Sequence, residues 1–373
     1  MTHNTAVGVG TTRTSKLPRW DAKALGWPRP NWVVIGIAIV IAALIPIVAP
    51  DRSWVSVATL AMIWITLGQS WNLVLGYGGV WNFGQLAFYA IGAYAAALLS
   101  LHAGLPPWLG ILAGGLIASG ISLLLTIPVL RLRGIYVSLL TFGFAEVVRL
   151  LIVADQSGVT GGSYGLSGFG GLGFEGLGGN AEGNANYWVV LAIAIVTSVI
   201  ITVIARSPLG NGMIALRDNP ALAAARGISP RTTQMLLFAI SGFFAGVSGA
   251  LYAYVFEVVA PTLMGLGPMT LLVTMLVVGG LGTVVGPIVG TIIIAFVQAR
   301  MQEFPEVRLA VLGVVLLVMV LLMPRGLVPV FSRQWQRLKD WMAEEEDVPK
   351  DDPDYPRLLA EARAKEAAGA AAR

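Results

Sequence analysis

The stretch VWNFGQLAFYAIGAYAAALL, Val80 to Leu99, decides the fold class of this chain. It is an apolar run of the length needed to cross the hydrocarbon core of a bilayer, about 20 residues. Gly84 and Gly92 permit close approach of neighbouring helix backbones. The stretch therefore predicts a tightly packed transmembrane helix, and apolar runs of the same kind recur along the chain.

The composition as a whole is that of a membrane protein. Hydrophobic residues make up 56% of the 373 residues, charged residues make up only 12%, and the mean hydropathy is +0.77. Soluble domains of ordinary composition lie well outside this range. The predicted spans cover residues 32–49, 54–75, 80–101, 108–130, 135–154, 188–205, 232–256 and 307–323.

A further apolar region, residues 262–300, is interrupted by GGLGTVVGP, Gly279 to Pro287. As two short spans it gives an all-α bundle of about ten transmembrane helices, and as a re-entrant hairpin it gives eight spans plus the hairpin. Backbone groups freed at such a break are tolerated in a membrane only where protein or water covers them. We therefore expect Gly279 and Gly280 to lie beside a translocation pathway.

The distribution of positive charge predicts that both termini are cytoplasmic. Of the 24 lysines and arginines, a ten-span chain with this orientation leaves three outside, Arg52, Arg300 and Arg308, and one, Arg149, within a span. Cytoplasmic loops carry the excess of Lys and Arg. The predicted domains are a cytoplasmic tail at 1–31, a transmembrane permease domain at 32–323 and a partly disordered cytoplasmic tail at 324–373.

Several function classes are disfavoured by what the chain lacks. It has no cysteine, only two histidines and no GxxxxGK[ST] motif, so we expect no metal site, no nucleotide site of its own and no enzymatic activity. Two GxGxxG matches, between Gly168 and Gly176, lie in a glycine-rich segment, residues 155–186, and not in a βαβ unit. That segment is predicted to be an extracytoplasmic loop in which glycine permits tight turns.

Polar residues interrupt two of the spans. Asn82, Gln85 and Tyr89 follow three- and four-residue spacing and so share a helix face, with Tyr94 further along. They are predicted either to border the translocation pathway or to form hydrogen bonds between helices, which contribute roughly 0.6 kcal/mol each.

A second polar feature is a possible ion pair in the fifth predicted span. Glu146 and Arg149 lie one turn apart and can pair. Ionised groups at a span centre cost about 2.5 to 3.5 kcal/mol, so they should face protein or water. They are predicted either to line the pathway or to form a structural ion pair, and a proton-coupled carrier that uses them is the alternative function.

The polar insert RDNPALAAARGISP, Arg217 to Pro230, separates two apolar runs. Asp218 or Asn219 can cap a helix that has Pro220 at its first position, and Gly227 suits the left-handed residue after its end. A helix this short is unstable alone. Something should therefore pack against it.

The insert and its flanks, Ser207 to Ala253, resemble the cytoplasmic loop and following helix of ABC-transporter permeases of the branched-chain amino-acid uptake family. Three other stretches agree: NLVLGYGGVWNFGQLAFYAIGAYAAALL from Asn72, LRLRGIYVSLLTFGFAEVVRLL from Leu130 and VGGLGTVVGPIVGTIII from Val278. The second of these resembles the longer, LivM-type permease subunit. The resemblance covers roughly residues 60–330.

The resemblance implies a multi-pass permease in the bacterial inner membrane, surrounded by lipid, with no nucleic-acid partner. Its implied partners are a second, related permease in a heterodimer, two cytoplasmic ABC ATPases that bind ATP and Mg²⁺, and an extracytoplasmic solute-binding protein. The loop 206–231 would be the coupling loop that contacts an ATPase. The implied coupling residues are Arg217, Asp218, Asn219, Pro220, Ala224, Arg226 and Gly227, and Thr160, Gly161 and Gly162 would face the binding protein.

One departure from the family pattern concerns the substrate. Many relatives carry His where this chain has Gln85. Branched-chain or related amino acids are the expected substrates, with urea, short-chain amides or aromatic acids as alternatives.

Overall fold

The computed structural model describes residues 42–46, 52–301, 305–323, 326–329 and 360. Residues 42–46 are helical. The longer helices are α1 Arg52–Asn72, α2 Gln85–Ala103, α3 Pro107–Val129, α4 Ile135–Val153, α5 Gly179–Arg206, α6 Pro208–Asp218, α7 Pro220–Ala225, α8 Pro230–Phe256, α9 Leu266–Gly279, α10 Val285–Arg300 and α11 Pro305–Leu322.

The remaining elements are short. A π-helical turn, Leu73–Tyr77, extends α1, and 3₁₀ turns occupy Glu175–Leu177 and Pro261–Met264. Two strands, β1 Leu166–Ser167 and β2 Val258–Val259, pair antiparallel with Leu166 opposite Val259.

Six helices within the described residues are long and apolar enough to span a membrane, so the chain is a multi-pass membrane protein. They are Ser53–Tyr77, Gln85–Ala103, Pro107–Val129, Ile135–Val153, Ala181–Arg206 and Pro230–Phe256. These correspond to six of the predicted spans. The predicted span 32–49 and the two predicted tails lie largely outside the described residues, and the total number of spans stays a prediction.

The region 262–300 contains two short helices, α9 and α10, of 14 and 16 residues. They are joined by the turn Gly280–Val284, which we call the helix break. Gly279 and Gly290 let the two helices touch along their backbones: a Cβ at Gly279 would lie 1.8 Å from the Gly286 carbonyl oxygen, and one at Gly290 would lie 1.8 Å from that of Met275. The predicted interruption between Gly279 and Pro287 is therefore confirmed.

Small residues also bring α2, α3 and α8 together. A Cβ built on Gly92 would lie 2.3 Å from the Gly246 Cα, and one on Gly246 would lie 2.6 Å from the Gly114 carbonyl oxygen. Only glycine allows backbones to approach this closely. Gly92 and Gly246 thus mark the crossing of these helices, and for Gly92 this is the close approach that the opening stretch predicts.

The opening stretch begins with a turn and not with helix. Residues 79–82 are not helical, and α2 starts at Gln85. The Asn82 side chain accepts a hydrogen bond from the Gly84 N–H at 3.0 Å. Asparagine competes for backbone groups in this way and favours turns over helix interiors, so the prediction that Asn82 shares a helix face with Gln85 and Tyr89 is wrong.

The glycine-rich segment is an ordered loop up to Gly178, and its predicted last part, residues 179–186, belongs to α5. The loop folds back on the bundle: the Ser100 hydroxyl donates to the Phe169 carbonyl at 2.8 Å, and the Phe169 and Tyr254 rings meet edge to face. Both GxGxxG matches precede α5 without a βαβ unit in the described residues. The loop therefore covers the ends of α2 and α8.

Candidate functional site

Polar side chains of α1 cover the helix break. Asn72 donates from Nδ2 to the Thr283 carbonyl at 2.8 Å and accepts at Oδ1 from the Gly282 N–H at 2.8 Å. Gln69 donates from Nε2 to the Val284 carbonyl at 2.6 Å. Buried backbone groups without partners are costly. These two amides therefore satisfy backbone groups at the interruption, which were expected to be covered by protein or water.

The helix break also contains its own cap. The Thr283 hydroxyl donates to the Gly280 carbonyl at 3.0 Å and accepts from the Gly286 N–H at 3.0 Å. Gly280 and Gly282 have φ of 113° and 74°, a backbone region open to glycine but unfavourable for other residues. Two half-length helices thus present their ends at one turn, in which Gly280 is buried and residues 281–284 are half-buried.

A second amide cluster joins three helices around Gln85. The Gln85 Nε2 donates to the Ser70 hydroxyl at 2.9 Å, and its Oε1 accepts from Asn82 Nδ2 at 3.3 Å. The Ser241 hydroxyl on α8 lies 3.2 Å from the same Oε1. All four side chains are buried. Within this chain Gln85 therefore connects α2 with α1 and α8, whereas Asn82 bonds the start of α2. Lining of the pathway stays a prediction.

Tyr89 and Tyr94, the two tyrosines of the same span, are both buried. Tyr89 stacks near Trp64 at 6.3 Å between ring centroids and contacts the Tyr252 ring at 6.0 Å. Tyr94 is buried, and its hydroxyl has no hydrogen-bond partner among the described residues. Their predicted place on the pathway is untested.

Glu146 and Arg149 form the ion pair predicted from their spacing. Arg149 Nε donates to Glu146 Oε2 at 3.0 Å, with a second bond from Nη2 to Oε1. The pair lies on α4, the least buried of the six long helices, and the two side chains are 33% (Arg149) and 41% (Glu146) exposed in this single chain. The surface that carries them thus remains open to water, lipid or another chain.

The predicted short helix of the polar insert is confirmed as α7. Asn219 is its N-cap and accepts at Oδ1 from the Leu222 N–H at 3.0 Å, with Pro220 at the first position. After the helix, Gly227 takes φ 85°, its N–H donates to Ala224 and the Ile228 N–H donates to Ala223. This is the Schellman pattern.

Most of α7 is uncovered by the rest of the chain. Ala223 is buried, whereas Leu222 is 53% exposed and Ala221, Ala224 and Ala225 are exposed. The preceding helix α6 buries Met213 and Leu216 and so holds α7 against the bundle. A slim apolar surface of small residues is left available for a partner.

Arg217, at the end of α6, points to the bundle. Its Nη1 donates to the Gly76 carbonyl at 2.8 Å, and its Nε donates to Asp218 at 3.0 Å. The family resemblance implies that Arg217 is one of the residues that contact an ATPase. The structure places its guanidinium on the π-helical turn beside the helix break, and contact of Arg217 with an ATPase stays a prediction.

The loop that contains Thr160, Gly161 and Gly162 is organised by Asp155. The Asp155 carboxylate accepts from the Ser157 hydroxyl and from the Thr160 N–H and hydroxyl at 2.6 and 2.7 Å. These bonds, the Ser157 hydroxyl foremost, hold the pKa of Asp155 well below its usual range. Gly161 and Gly162 have φ of 72° and 56°, and Tyr164 beside them is 96% exposed.

Sequence reasoning missed Gln69, Asn72 and Ser241. The signal was available, because GQSWN, Gly68 to Asn72, places two amides three residues apart inside an apolar run. Ser241 gave no comparable signal, since a lone serine in a span commonly bonds its own helix.

The family profile described as "Branched-chain amino acid transport system / permease component" matches residues 53–321. The chain is 32% identical over 320 residues to the high-affinity branched-chain amino acid transport system permease protein LivM of Escherichia coli K12, covering 80% of this chain and 75% of the relative. The LivM protein of Salmonella typhimurium LT2 gives the same values. A probable branched-chain amino acid transport permease protein LivM of Methanocaldococcus jannaschii is 22% identical over 327 residues, covering 74% of this chain and 94% of the relative. No solved structure matches the chain significantly.

Proposed function

Because the chain belongs to the family of branched-chain amino acid transport system permease components, we propose that it is the membrane-spanning permease subunit of an ABC importer. In this proposal it moves branched-chain or related amino acids inward, and ATP hydrolysed by partner subunits drives the movement. The names of its relatives in Escherichia coli and Salmonella support the substrate class, and we place the chain in a bacterial inner membrane.

The observation that carries the proposal is the exposed, doubly capped helix α7. A helix of six residues is too short to persist in water by its own hydrogen bonds, yet here it has an N-cap, a Schellman end and a single buried alanine. Its exposed alanines form a narrow ridge suited to a cleft in an ATPase. We assign the coupling role to Asp218, Asn219, Pro220, Ala224, Arg226 and Gly227, and Arg217 beside them reaches back to the bundle.

The remaining partners follow from the same assignment. A second, related permease completes the translocation path, and the open face of α4 with Glu146 and Arg149 is available to it. Two cytoplasmic ABC ATPases bind ATP and Mg²⁺, and an extracytoplasmic binding protein delivers substrate to the side of Thr160, Gly161 and Gly162. The amides at the helix break and around Gln85 support placing the pathway between α1, α2 and α9.

Replacement of Ala224 by Glu tests the coupling role. The added side chain and charge occupy the ridge that would enter the ATPase cleft, so we expect ATP-dependent uptake to fall to background and the ATPases to be lost from the purified complex. The variant should still insert, because Ala224 is exposed. Ala181→Glu, an exposed position near the start of α5, is the matched control.

Retention of uptake and of bound ATPases by Ala224→Glu would contradict the coupling role. The alternative, a carrier that uses Glu146 to move protons, makes a different prediction. Such a carrier would accumulate solute in liposomes under a proton gradient without any ATPase. The bidentate pairing of Glu146 with Arg149 favours the permease over this alternative.

A further inference from the structure

Arg217 lies between α7 and the helix break. It is the last residue but one of α6 and lies two residues before the cap of α7, and its Nη1 donates to the Gly76 carbonyl at 2.8 Å. A Cβ at Gly282 in the helix break would lie 3.7 Å from the same nitrogen. One side chain therefore spans from the start of the exposed helix to the turn between the two half-length helices.

The aliphatic part of Arg217 is held as closely as its guanidinium. A Cβ at Gly79 would lie 2.4 Å from the Arg217 Cγ and 3.0 Å from its Cδ. Gly79 has φ 67°, so any other residue there would be strained as well as obstructed. The Asp218 carboxylate accepts a hydrogen bond from the Arg217 Nε at 3.0 Å. The side chain thus has contacts along its length, and its position is tied to the turn after α1.

Gly76 is in turn pressed against the helix break. A Cβ on Gly76 would lie 2.2 Å from Asn72 Oδ1 and 2.4 Å from the Gly282 nitrogen. Asn72 binds both Gly282 and Thr283. Gly76, Asn72 and Gly282 therefore form one packed unit, with Arg217 attached to its outer side.

We propose that Arg217 is a positioning residue that transmits displacement of α7 to the helix break. This inference rests on the proposed function, in which an ATPase moves α7 during the ATP cycle. Packed helices shift as rigid bodies between discrete arrangements, and a side chain fixed at both ends carries such a shift. Movement of α6 and α7 pulls on Gly76 and so on the turn that holds the ends of α9 and α10.

The test uses the complete complex in liposomes, with Arg217→Gln and Arg217→Lys compared to the parent chain. Glutamine is too short to reach Gly76 and has no charge, whereas lysine can still donate a hydrogen bond to the carbonyl. We expect Arg217→Gln to reduce solute transported per ATP hydrolysed by about tenfold, the factor expected from losing one charge-assisted hydrogen bond. Bound ATPases and the KM for solute should not change, and Arg217→Lys should recover part of the loss.

Arg133→Gln is the matched control, because Arg133 is an exposed charge between α3 and α4 and lies outside the coupling loop 206–231 and the helix break. It should leave the transport-to-hydrolysis ratio unchanged. Amide hydrogen exchange of residues 280–284 in the same complexes gives a second measurement, in which exchange should rise in Arg217→Gln and stay at the parent level in Arg133→Gln.

An unchanged transport-to-hydrolysis ratio in Arg217→Gln, with unchanged exchange at the helix break, would overturn the inference. Loss of the ATPases from Arg217→Gln would overturn it too, because Arg217 would then act as an ATPase contact. Two other results would contradict the proposed function and not this inference alone. They are a parent chain that does not retain ATPases, and an Ala224→Glu variant that transports normally. If Arg217→Gln does not insert, Arg217→Lys decides by the same ratio and the same exchange measurement.

Discussion

At the scale of single residues, the polar groups of this chain divide by what they bind. Asn72 and Gln69 bind backbone at the helix break, whereas Gln85 binds side chains of neighbouring helices. An amide can donate and accept at once, and Gln85 uses both ends, toward Ser70 and toward Asn82. This explains how glutamine is accommodated at a buried position.

Asp155 provides a test at this scale through the pH dependence of stability. Its folded pKa lies below the ordinary carboxyl value of about 3.9, because of bonds from Ser157 and Thr160. A depressed pKa stabilises the fold above the ordinary pKa, and this contribution is lost as the pH falls toward the folded pKa. We expect Asp155→Asn to lower the melting temperature in detergent at pH 7, with a difference that shrinks as the pH approaches 3.

The matched control for Asp155 is Glu182→Gln, a carboxylate in α5 without a hydrogen-bond partner among the described residues. It should change the melting temperature less at pH 7. A difference between the parent chain and Asp155→Asn that is constant from pH 7 to pH 3 would contradict the assigned role of the carboxylate.

At the scale of elements, the closest helix contacts form at glycine, which has no side chain to keep the backbones apart. The crossing of α2, α3 and α8 depends on Gly92, Gly114 and Gly246, whose Cα atoms face backbone of the neighbouring helix. Serine adds hydrogen bonds at the same interface, since Ser122 donates to the Phe238 carbonyl at 2.8 Å. In a membrane, where lipid is as apolar as leucine, such backbone contact replaces the hydrophobic effect between helices.

Gly246→Ala tests the crossing. The added Cβ would lie 2.5 Å from that of Ala118 and 2.6 Å from the Gly114 carbonyl oxygen, so α3 and α8 must separate. Overpacking of this kind costs about 1–3 kcal/mol, and the melting temperature of the purified protein in detergent should fall.

Gly120→Ala, on the helix α3 that α8 crosses, is the control. A Cβ at Gly120 meets no atom within 4 Å, and alanine is the better helix former by about 1 kcal/mol. We expect equal or higher stability for this variant. Equal stability of Gly246→Ala and the parent chain would show that the crossing is looser than its geometry indicates.

At the scale of the whole molecule, α5 separates the two surfaces that we propose bind partners. Its 28 residues, Gly179–Arg206, extend about 42 Å at 1.5 Å per residue, which exceeds the bilayer core. The loop with Thr160 and Tyr164 precedes it, and α6 and α7 follow it. A long helix between them therefore predicts that the two surfaces face opposite sides of the membrane.

The absence of cysteine makes this prediction directly measurable. Cysteine introduced at Tyr164, which is 96% exposed, or at Leu222, which is 53% exposed, would be the single thiol of its variant. We expect a membrane-impermeant maleimide applied to intact cells to label Tyr164→Cys, and to label Leu222→Cys only after the cells are opened. Labelling of both variants in intact cells would contradict the orientation.

The sequence by itself determined the membrane class, six of the spans, the interruption near Gly279 and the capped helix α7. These depend on hydropathy, glycine and cap residues, which act between residues close in the chain. Only the tertiary structure decided what covers the helix break and where Arg217 points, because the contacts of Asn72 with Thr283 and of Arg217 with Gly76 join residues more than a hundred positions apart. Side chains of the same type can bind lipid headgroups, water or a distant turn, and only the packing of the helices selects among these partners.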